Sequence, residues 1–463
     1  MANIDEILSL DIDKAIEQLR AKSVSVPNWQ GNLEDQYEAS KHKIMNEALF
    51  PNKRKKDGTP ILRARVPVGL QKLATKRMTE FMCAIPVQRR YQVSDSSGEE
   101  EITKAMERIY SRVRINTANV ARLRSYFGAC EVATVWYITE VDKPHNLYGF
   151  PCKYKLRLRT FSPMTGDKLY PLFDEHGDMI ALSFEYQQQS GETKITYFET
   201  FTNELRIVWM KLGDKWELME SISHDLGKIP GVYMNRSTPI WEDKTSTVEE
   251  LEALISRNLD TLAYNSAPIT VFKGLKKVEG EEKGDSNRIY ATEVGGGVEI
   301  ASWDQAAASL EFQVDTLIRI FFMELQFPDF SQYAKNGVGG ALSGESRRLL
   351  LTDAHLKVGD EQGPCLEFWD REVSVLKSIL AIINPSWAAL LEDIDVENVV
   401  TPFVMNDDKE NISNGARLYE AGGCSLRTFV EMANQAADVE AEMKRIAEEE
   451  EAKLDRQFRS ETL

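Results

Sequence analysis

The sequence predicts an α+β fold, and three observations carry the prediction. Apolar residues at helical spacing fill both ends of the chain, up to about Ser94 and again from Ser343 onward. Between Cys130 and Tyr233 the texture changes to short runs of β-branched and aromatic residues separated by Gly, Asp or Asn. Two strongly amphipathic segments, around Leu251 and Leu317, then bracket a small insert rich in lysine and glycine. Such a succession suits helices set beside an antiparallel sheet, with a helical pair projecting from the body.

The elements follow in order. A first helix spans Ile4 to Arg20, and a second runs from Val66 until Pro86 stops it. Between them, "NKRKKDGTP" (Asn52 to Pro60) ends in the turn signal Asp57-Gly58 and reads as a solvated hairpin tip, since no aromatic residue interleaves its charges. Ile102 to Phe127 gives further helix, broken near Asn116. The sheet strings are "EVATVWYITEV", "YKLRLRTF", "MIALSFEYQ", "KITYFETFT", "LRIVWMKL" and "KWELMES". His224, alone in the loop "SHDLGKIPGVYM", is expected to be structural.

Val248, Leu251, Ile255, Leu259 and Leu262 keep helical spacing, with Thr247 as N-cap and Glu249 and Glu250 in the first turn. Pro268 closes that helix. The insert from Ile269 to Trp303 holds two or three strands ("ITVFKGL", "RIYATEV", "GVEIAS"). A second helix, started by Asp304 and stopped by Pro328, carries Ala307, Leu310, Val314, Leu317, Ile318, Phe321 and Leu325. After the loop "FSQYAKNGVGGAL", Ser343 caps a helix that "GDEQGP" must kink or interrupt at Pro364. "ENVVTPFVM" (Glu397 to Met405) is a returning strand. Lys409 to Ala421 is helical up to Gly422-Gly423, Ser425 caps the next helix, and a charged helix with Glu440–Lys444 and Glu449–Lys453 pairs closes the chain.

Composition narrows the function. A formal charge of −17 over 463 residues argues against tight nucleic-acid binding, which neutralises phosphates with Lys and Arg. It is compatible with a protein that DNA passes without sticking. Five cysteines without a CxxC pair fit reduced thiols, and five scattered histidines make no metal cluster. No apolar run is long enough to span a bilayer, and "MANIDEILSLDIDK" has no secretory signal character. The loop with Gly337, Gly339, Gly340 and Gly344 is a poor phosphate cradle: it follows a helix, lacks a GK[ST] ending, and places Glu345 where phosphate would be repelled. There is no GxSxG, no HExxH and no convergent acid set, so neither a catalytic residue nor a cofactor or metal site is expected.

Several stretches together resemble the portal proteins of tailed bacteriophages, in the branch of long-tailed phages infecting Gram-positive bacteria. They are "ARLRSYFGACEVATVWYITE" (Ala121 to Glu140), "HDLGKIPGVYMNRSTP" (His224 to Pro239), "STVEELEALISRNLDTLAYNSA" (Ser246 to Ala267), "LSGESRRLLL" and Val399 to Ile446. The likeness spans roughly Asp35 to Leu454. Glu345, Arg347 and Arg348 depart from the smaller or apolar residues expected there, and the helix before Asp35 has no counterpart.

The resemblance implies a portal-like α+β architecture in fixed order. An N-terminal helical segment (1–34) precedes an α/β wing (35–243). The first stem helix (244–268), a β-containing clip (269–303) and the second stem helix (304–328) follow. A tunnel loop (329–342) leads to a long kinked helix with its returning wing strand (343–405) and a helical crown (406–463). It implies a ring of twelve subunits in the virion, at a capsid vertex, assembled in the host cytoplasm, through which double-stranded DNA is packaged and ejected. Tyr333, Lys335, Asn336, Gly337, Gly339 and Gly340 would meet the DNA at the tunnel loop. Lys273, Lys276, Lys277, Lys283 and Arg288 of the clip would meet the terminase large subunit and then the head-tail adaptor. Major capsid and scaffolding proteins are further implied partners, and no membrane is. The residues alone also leave open a phosphate-processing or metal-dependent nucleic-acid enzyme and a non-phage oligomeric scaffold.

Overall fold

The computed structural model describes residues 4–54, 57–93, 97–191, 193–265, 269–273, 297–301, 307–329, 349–403, 408–433, 439 and 442–450. It separates into two compact units, Met1–Phe327 with Ala354–Phe403, and Pro328–Asp353 with Val404–Leu463.

In the first unit the N-terminal segment is two short helices, α1 (Ile4–Leu8) and α2 (Ile12–Leu19), rather than the single helix expected. A four-residue turn of helix, α3 (Glu34–Tyr37), and a two-by-two hairpin, β1 (Lys53–Arg54) with β2 (Pro60–Ile61), follow. The hairpin is exposed, and Asp57 Oδ1 accepts from Thr59 N–H at 2.8 Å to close its tip. Lys55 and Lys56 lie outside the described residues. The stretch to Ser94 is therefore less helical than its apolar rhythm suggests: beyond α4 (Leu70–Cys83) it also contributes strand β3 (Gln88–Gln92).

Helices α5 (Ser97–Arg112) and α6 (Ile115–Ala129) break at Arg114, two residues before the expected Asn116. Arg114 takes a left-handed backbone (φ 55°), which ends one helix and redirects the next. The sheet strings become β4 (Glu131–His145), β5 (Cys152–Phe161), β6 (Lys168–Phe173), β7 (Met179–Ser190), β8 (Thr193–Phe201), β9 (Leu205–Leu212), β10 (Lys215–Ser223) and β11 (Gly231–Asn235). They form a five-stranded antiparallel meander, β10-β9-β8-β7-β6, and a three-stranded sheet, β11-β4-β5.

Alternation along the strands explains how these sheets stack. One face of β4 and β5 offers Ala133, Val135 and Phe161 to Leu169, Leu182, Phe184 and Phe201 of the meander, all essentially buried. Phe161 stacks on Phe184 at 3.9 Å between centroids. The outer face of the meander (Ala181, Phe198, Ile207, Trp209) is covered by Ile7, Ile16 and Leu19 of α1 and α2. His224 is structural, as expected: Nε2 donates to the Thr202 carbonyl at 3.1 Å, and burial lowers its pKa, keeping the ring neutral.

Two further helices, α7 (Thr245–Asn265) and α8 (Ala307–Glu324), bracket the antiparallel pair β12 (Ile269–Lys273) and β13 (Gly297–Ala301). The middle string "RIYATEV", Pro268 and Asp304 lie outside the described residues. The next long helix is not interrupted at Pro364. α9 (Thr352–Ile383) runs 32 residues with Pro364 inside it, uninterrupted. Losing one hydrogen bond and crowding a carbonyl costs about 3 kcal/mol. Burial of Cys365, Phe368, Trp369, Leu376, Ile379 and Leu380 on the following turns offsets it, at roughly 1.5–3 kcal/mol for each of the larger side chains. After α10 (Ala388–Asp393), the returning strand β14 covers Asp395–Val399 and pairs with β3. It ends earlier than expected, because Pro402 cannot donate to a ladder.

In the second unit, α11 (Asp408–Glu420) ends with Gly422 in the left-handed region, where Gly423 N–H reaches the Leu418 carbonyl at 2.8 Å. Ser425 caps α12 (Leu426–Ala433) by accepting from Thr428 N–H at 3.2 Å, and Tyr419 stacks on Phe429 across the two helices. Residues 442–450 are helical, with Lys444–Glu448 and Arg445–Glu442 pairs. Glu440 and Lys453, of the two pairs expected, lie outside the described residues.

Candidate functional site

The feature that stands apart from the layered body is the pair α7 and α8. Lys244, just before α7, pairs with Glu324 at the end of α8 at 2.5 Å, so the helices run antiparallel with their outer ends at the body. Non-glycine residues in the left-handed region mark both junctions, Asp243 (φ 62°) before α7 and Gln326 (φ 57°) after α8. The helix begins at Thr245, so Thr247 is its third residue and not its cap.

The root of the pair is firmly built. Val248 and Leu251 of α7 and Phe321, Phe322 and Leu325 at the end of α8 are buried, and Phe327 stacks on Phe81 of α4. Arg77 of α4 lies over the Phe322 ring at 4.4 Å.

A second contact is polar. An extended segment, 63–68, lies along α7, and every second backbone N–H finds a side chain of the helix. Val68 N–H donates to Glu252 Oε1 at 2.7 Å, Val66 N–H to Ser256 Oγ at 3.0 Å, and Ala64 N–H to Asp260 Oδ1 at 2.7 Å. The match is one of periods: four helical residues rise about 6 Å, and two extended residues about 6.6 Å. Glu252 also accepts from His42 Nδ1 at 2.5 Å, while His42 Nε2 donates to the Gln36 carbonyl at 2.9 Å. An acceptor at each nitrogen favours the protonated ring. Burial opposes that charge, but the Glu252 hydrogen bond and carboxylate outweigh it and raise the pKa above the usual value.

Away from the root the pair is bare. Leu254, Ile255 and Leu262 of α7 and Leu310, Val314, Leu317 and Ile318 of α8 are only half-buried. Leu259 is 40% exposed and Phe312 68%, and nearer the root Met323 is also exposed. The apolar stripe read from the sequence is real, but a single chain covers only its lower end.

The body beneath holds one more polar cluster. Arg122 of α6 grips Glu372 of α9 through two hydrogen bonds, at 2.5 and 3.0 Å. Trp136 Nε1 donates to the same carboxylate at 3.0 Å, and Asn119 and Thr134 accept from Arg122. Neither charged side chain is more than 2% exposed. The carboxylate's oxygens are taken up, so this is a tie between helices and sheet. Among the described residues no group of three or more His, Cys, Asp or Glu is placed to hold a metal, and no helix is long and apolar enough to cross a membrane.

Tyr333, Lys335, Asn336, Gly337, Gly339 and Gly340 all lie outside the described residues, as do Lys276, Lys277, Lys283 and Arg288. Lys273 is the last residue of β12. Sequence reasoning missed Glu252, Ser256 and Asp260. Their i, i+4, i+8 spacing on α7 was the available signal.

A projecting helical pair with an apolar, uncovered outer half, carried on a layered body, defines an assembly protein. The chain matches the family model described as "Phage portal protein, SPP1 Gp6-like" over residues 30–455, and it belongs to that family. No curated protein matches this chain. Among solved structures, the neck of a native GTA particle computed with C12 symmetry aligns at 10% identity and TM-score 0.42, covering 91% of this chain and 98% of that one. The neck of an empty GTA particle computed with C6 symmetry gives 12% and 0.38, over 80% and 90%. The virion of a native gene transfer agent particle gives 9% and 0.39, over 91% and 98%. Overlaps this loose transfer no residue's role to this chain.

Proposed function

We propose that copies of this chain close into a ring of twelve around a channel for double-stranded DNA, at one vertex of a phage capsid. The observation that carries the reading is the bare upper half of α7 and α8. In that half Phe312 of α8 and Leu259 of α7 are exposed, Met323 is exposed nearer the root, and large apolar side chains left in solvent call for a partner. A head-to-tail contact between identical copies closes a ring if its rotation closes.

In this reading residues 35–243 and 343–405 are the wing, α7 and α8 the stem, 269–303 the clip, 329–342 the tunnel loop and 406–463 the crown. Lys335, with Tyr333 and Asn336, makes passing contacts with phosphates, and the overall negative charge keeps them weak. The clip, with Lys273, Lys276, Lys277, Lys283 and Arg288, receives the terminase large subunit during packaging and the head-tail adaptor afterwards. The ring assembles in the host cytoplasm with major capsid and scaffolding proteins, in a long-tailed phage of a Gram-positive host. No turnover is assigned to the chain itself.

Negative-stain microscopy of the purified protein tests this. Rings with a central hole are expected from the parent chain, and folded single copies from a Phe312→Asp, Met323→Asp variant. A ring that survives both substitutions, or a parent chain that stays monomeric at high concentration and in infected cells, overturns the reading. Deleting Asn336 to Gly340 is expected to leave rings intact and to reduce packaged DNA in particles.

A further inference from the structure

We infer that the rim where the two sheets meet is a docking site for an extended acidic peptide segment of a partner protein. The first observation is a row of cations. Lys153, Lys155, Arg157 and Arg159 alternate along β5 and so share one face, with a repeat of about 6.8 Å. The first three are exposed, and among the described residues no carboxylate pairs with any of the four. Opposite them on β4 stand Thr139, Tyr137 and Val135, which are uncharged and offer no internal neutralisation.

The second observation is that the row ends in a built cleft of about 450 Å³ lined by Tyr137, Tyr186, Tyr197, Arg159, Arg206 and Met219, among others. Its floor is fully buried Glu199, which accepts from the Tyr137 and Tyr186 hydroxyls at 3.1 Å and from Arg206 Nε at 2.7 Å. Arg206 also bonds Glu220, so charges within the cleft balance. The Arg159 guanidinium lies over the Tyr186 ring at 3.9 Å and the Phe161 ring at 4.3 Å, fixed by stacking rather than by an acid. Tyr186 stacks on Tyr197, and Met219, 54% exposed, forms an apolar lip.

These parts specify one occupant. An extended chain repeats its side chains at the spacing of the row, so glutamates or aspartates at alternate positions meet Arg157, Lys155 and Lys153 in step. An aromatic or apolar side chain two positions before the first acid shares its face and fills the cleft against tyrosine rings and Met219. Duplex DNA fits less well: only three outward cations are offered by a chain of net charge −17, and the apolar lip gains nothing from a phosphate backbone. The site needs neither the stem nor a ring.

The test is fluorescence anisotropy with the full chain and a labelled peptide, Phe-Ser-Glu-Ser-Glu-Ser-Glu, at low salt. Its isomer with the three glutamates contiguous and a short duplex DNA serve as comparisons. The alternating peptide is expected to bind at least about threefold tighter than its isomer and more tightly than the duplex. Lys155→Glu with Arg157→Glu is expected to weaken it by about tenfold or more, with Lys155→Met and Arg157→Met as the second pair should charge reversal disturb folding. Met219→Ser is expected to weaken the parent peptide but not one lacking its Phe. Equal binding of the two isomers, tighter binding of the duplex, or indifference to both pairs of substitutions overturns the proposal. So does self-association that depends on Lys155 and Arg157, which would give the row to a second copy.

Discussion

A Glu372→Ala variant is expected to lose about 3–5 kcal/mol of stability, the cost of leaving a buried guanidinium without its carboxylate. Arg122 is 1% exposed and cannot turn to water, while Trp136 loses the acceptor for its indole N–H. Glu372→Gln keeps an acceptor but no charge and should fall between Ala and the parent. The joint Arg122→Met, Glu372→Leu variant should recover most of the loss, because removing both charges also removes their desolvation. Urea unfolding followed by tryptophan fluorescence reads all of these, as Trp136 and Trp369 border the cluster. A loss below about 1 kcal/mol in Glu372→Ala would mean the tie matters little, since net contributions of ordinary hydrogen bonds are that small.

Glu252→Ala should loosen the base of α7 by about 3–6 kcal/mol, since it deprives both His42 and the Val68 N–H of a charged acceptor, each such bond contributing about 1.5–3 kcal/mol. Hydrogen exchange at Val68 is the direct readout and should accelerate strongly, with Val66 and Ala64 following. The His42 pair adds a pH signature. The folded-state pKa of His42 is raised, so its stabilisation is fully present below the unfolded value of about 6.5 and is lost as pH rises through the folded value. The charged groups facing it are Glu252 and Glu249 of α7, the latter paired with Lys43. Subtracting a His42→Gln variant from the parent across pH 5 to about 9 should therefore give a difference that declines with pH. A flat difference would show that the ring is neutral when folded.

Much of this architecture was legible because burial leaves a periodic mark. Val248 and Leu251, or Ala133 and Val135, announce helix and strand by spacing alone. The ordered motifs from Ala121 to Ile446 placed those elements in a family. What stayed hidden depends on partners distant in sequence. Glu252, Ser256 and Asp260 look like a helix's wet side until segment 63–68 is laid on them. Ile7, Ile16 and Leu19 could not be assigned a surface before the meander's outer face was seen to be apolar. That the helix continues through Pro364 was not legible locally, because the rule for proline is silent about what the next five turns bury. The stripe on α7 misled in the opposite sense: Leu259 keeps the helical spacing of Val248 and Leu251, yet a single chain does not cover it.

Those two N-terminal helices precede the region that matches the family, which starts at residue 30. Their docking is nonetheless intimate, with Arg20 reaching Glu185 at 2.7 Å and lying over the Phe198 and Trp216 rings.

The fastening of α7 to segment 63–68 has a mechanical corollary. Its three acceptors sit in line along the helix axis, so a pull along that axis loads all three bonds together, in shear. A sideways tilt opens them singly, from the Asp260 end toward Glu252, as a peel. A helix held this way is stiff against thrust along its length and compliant to splaying.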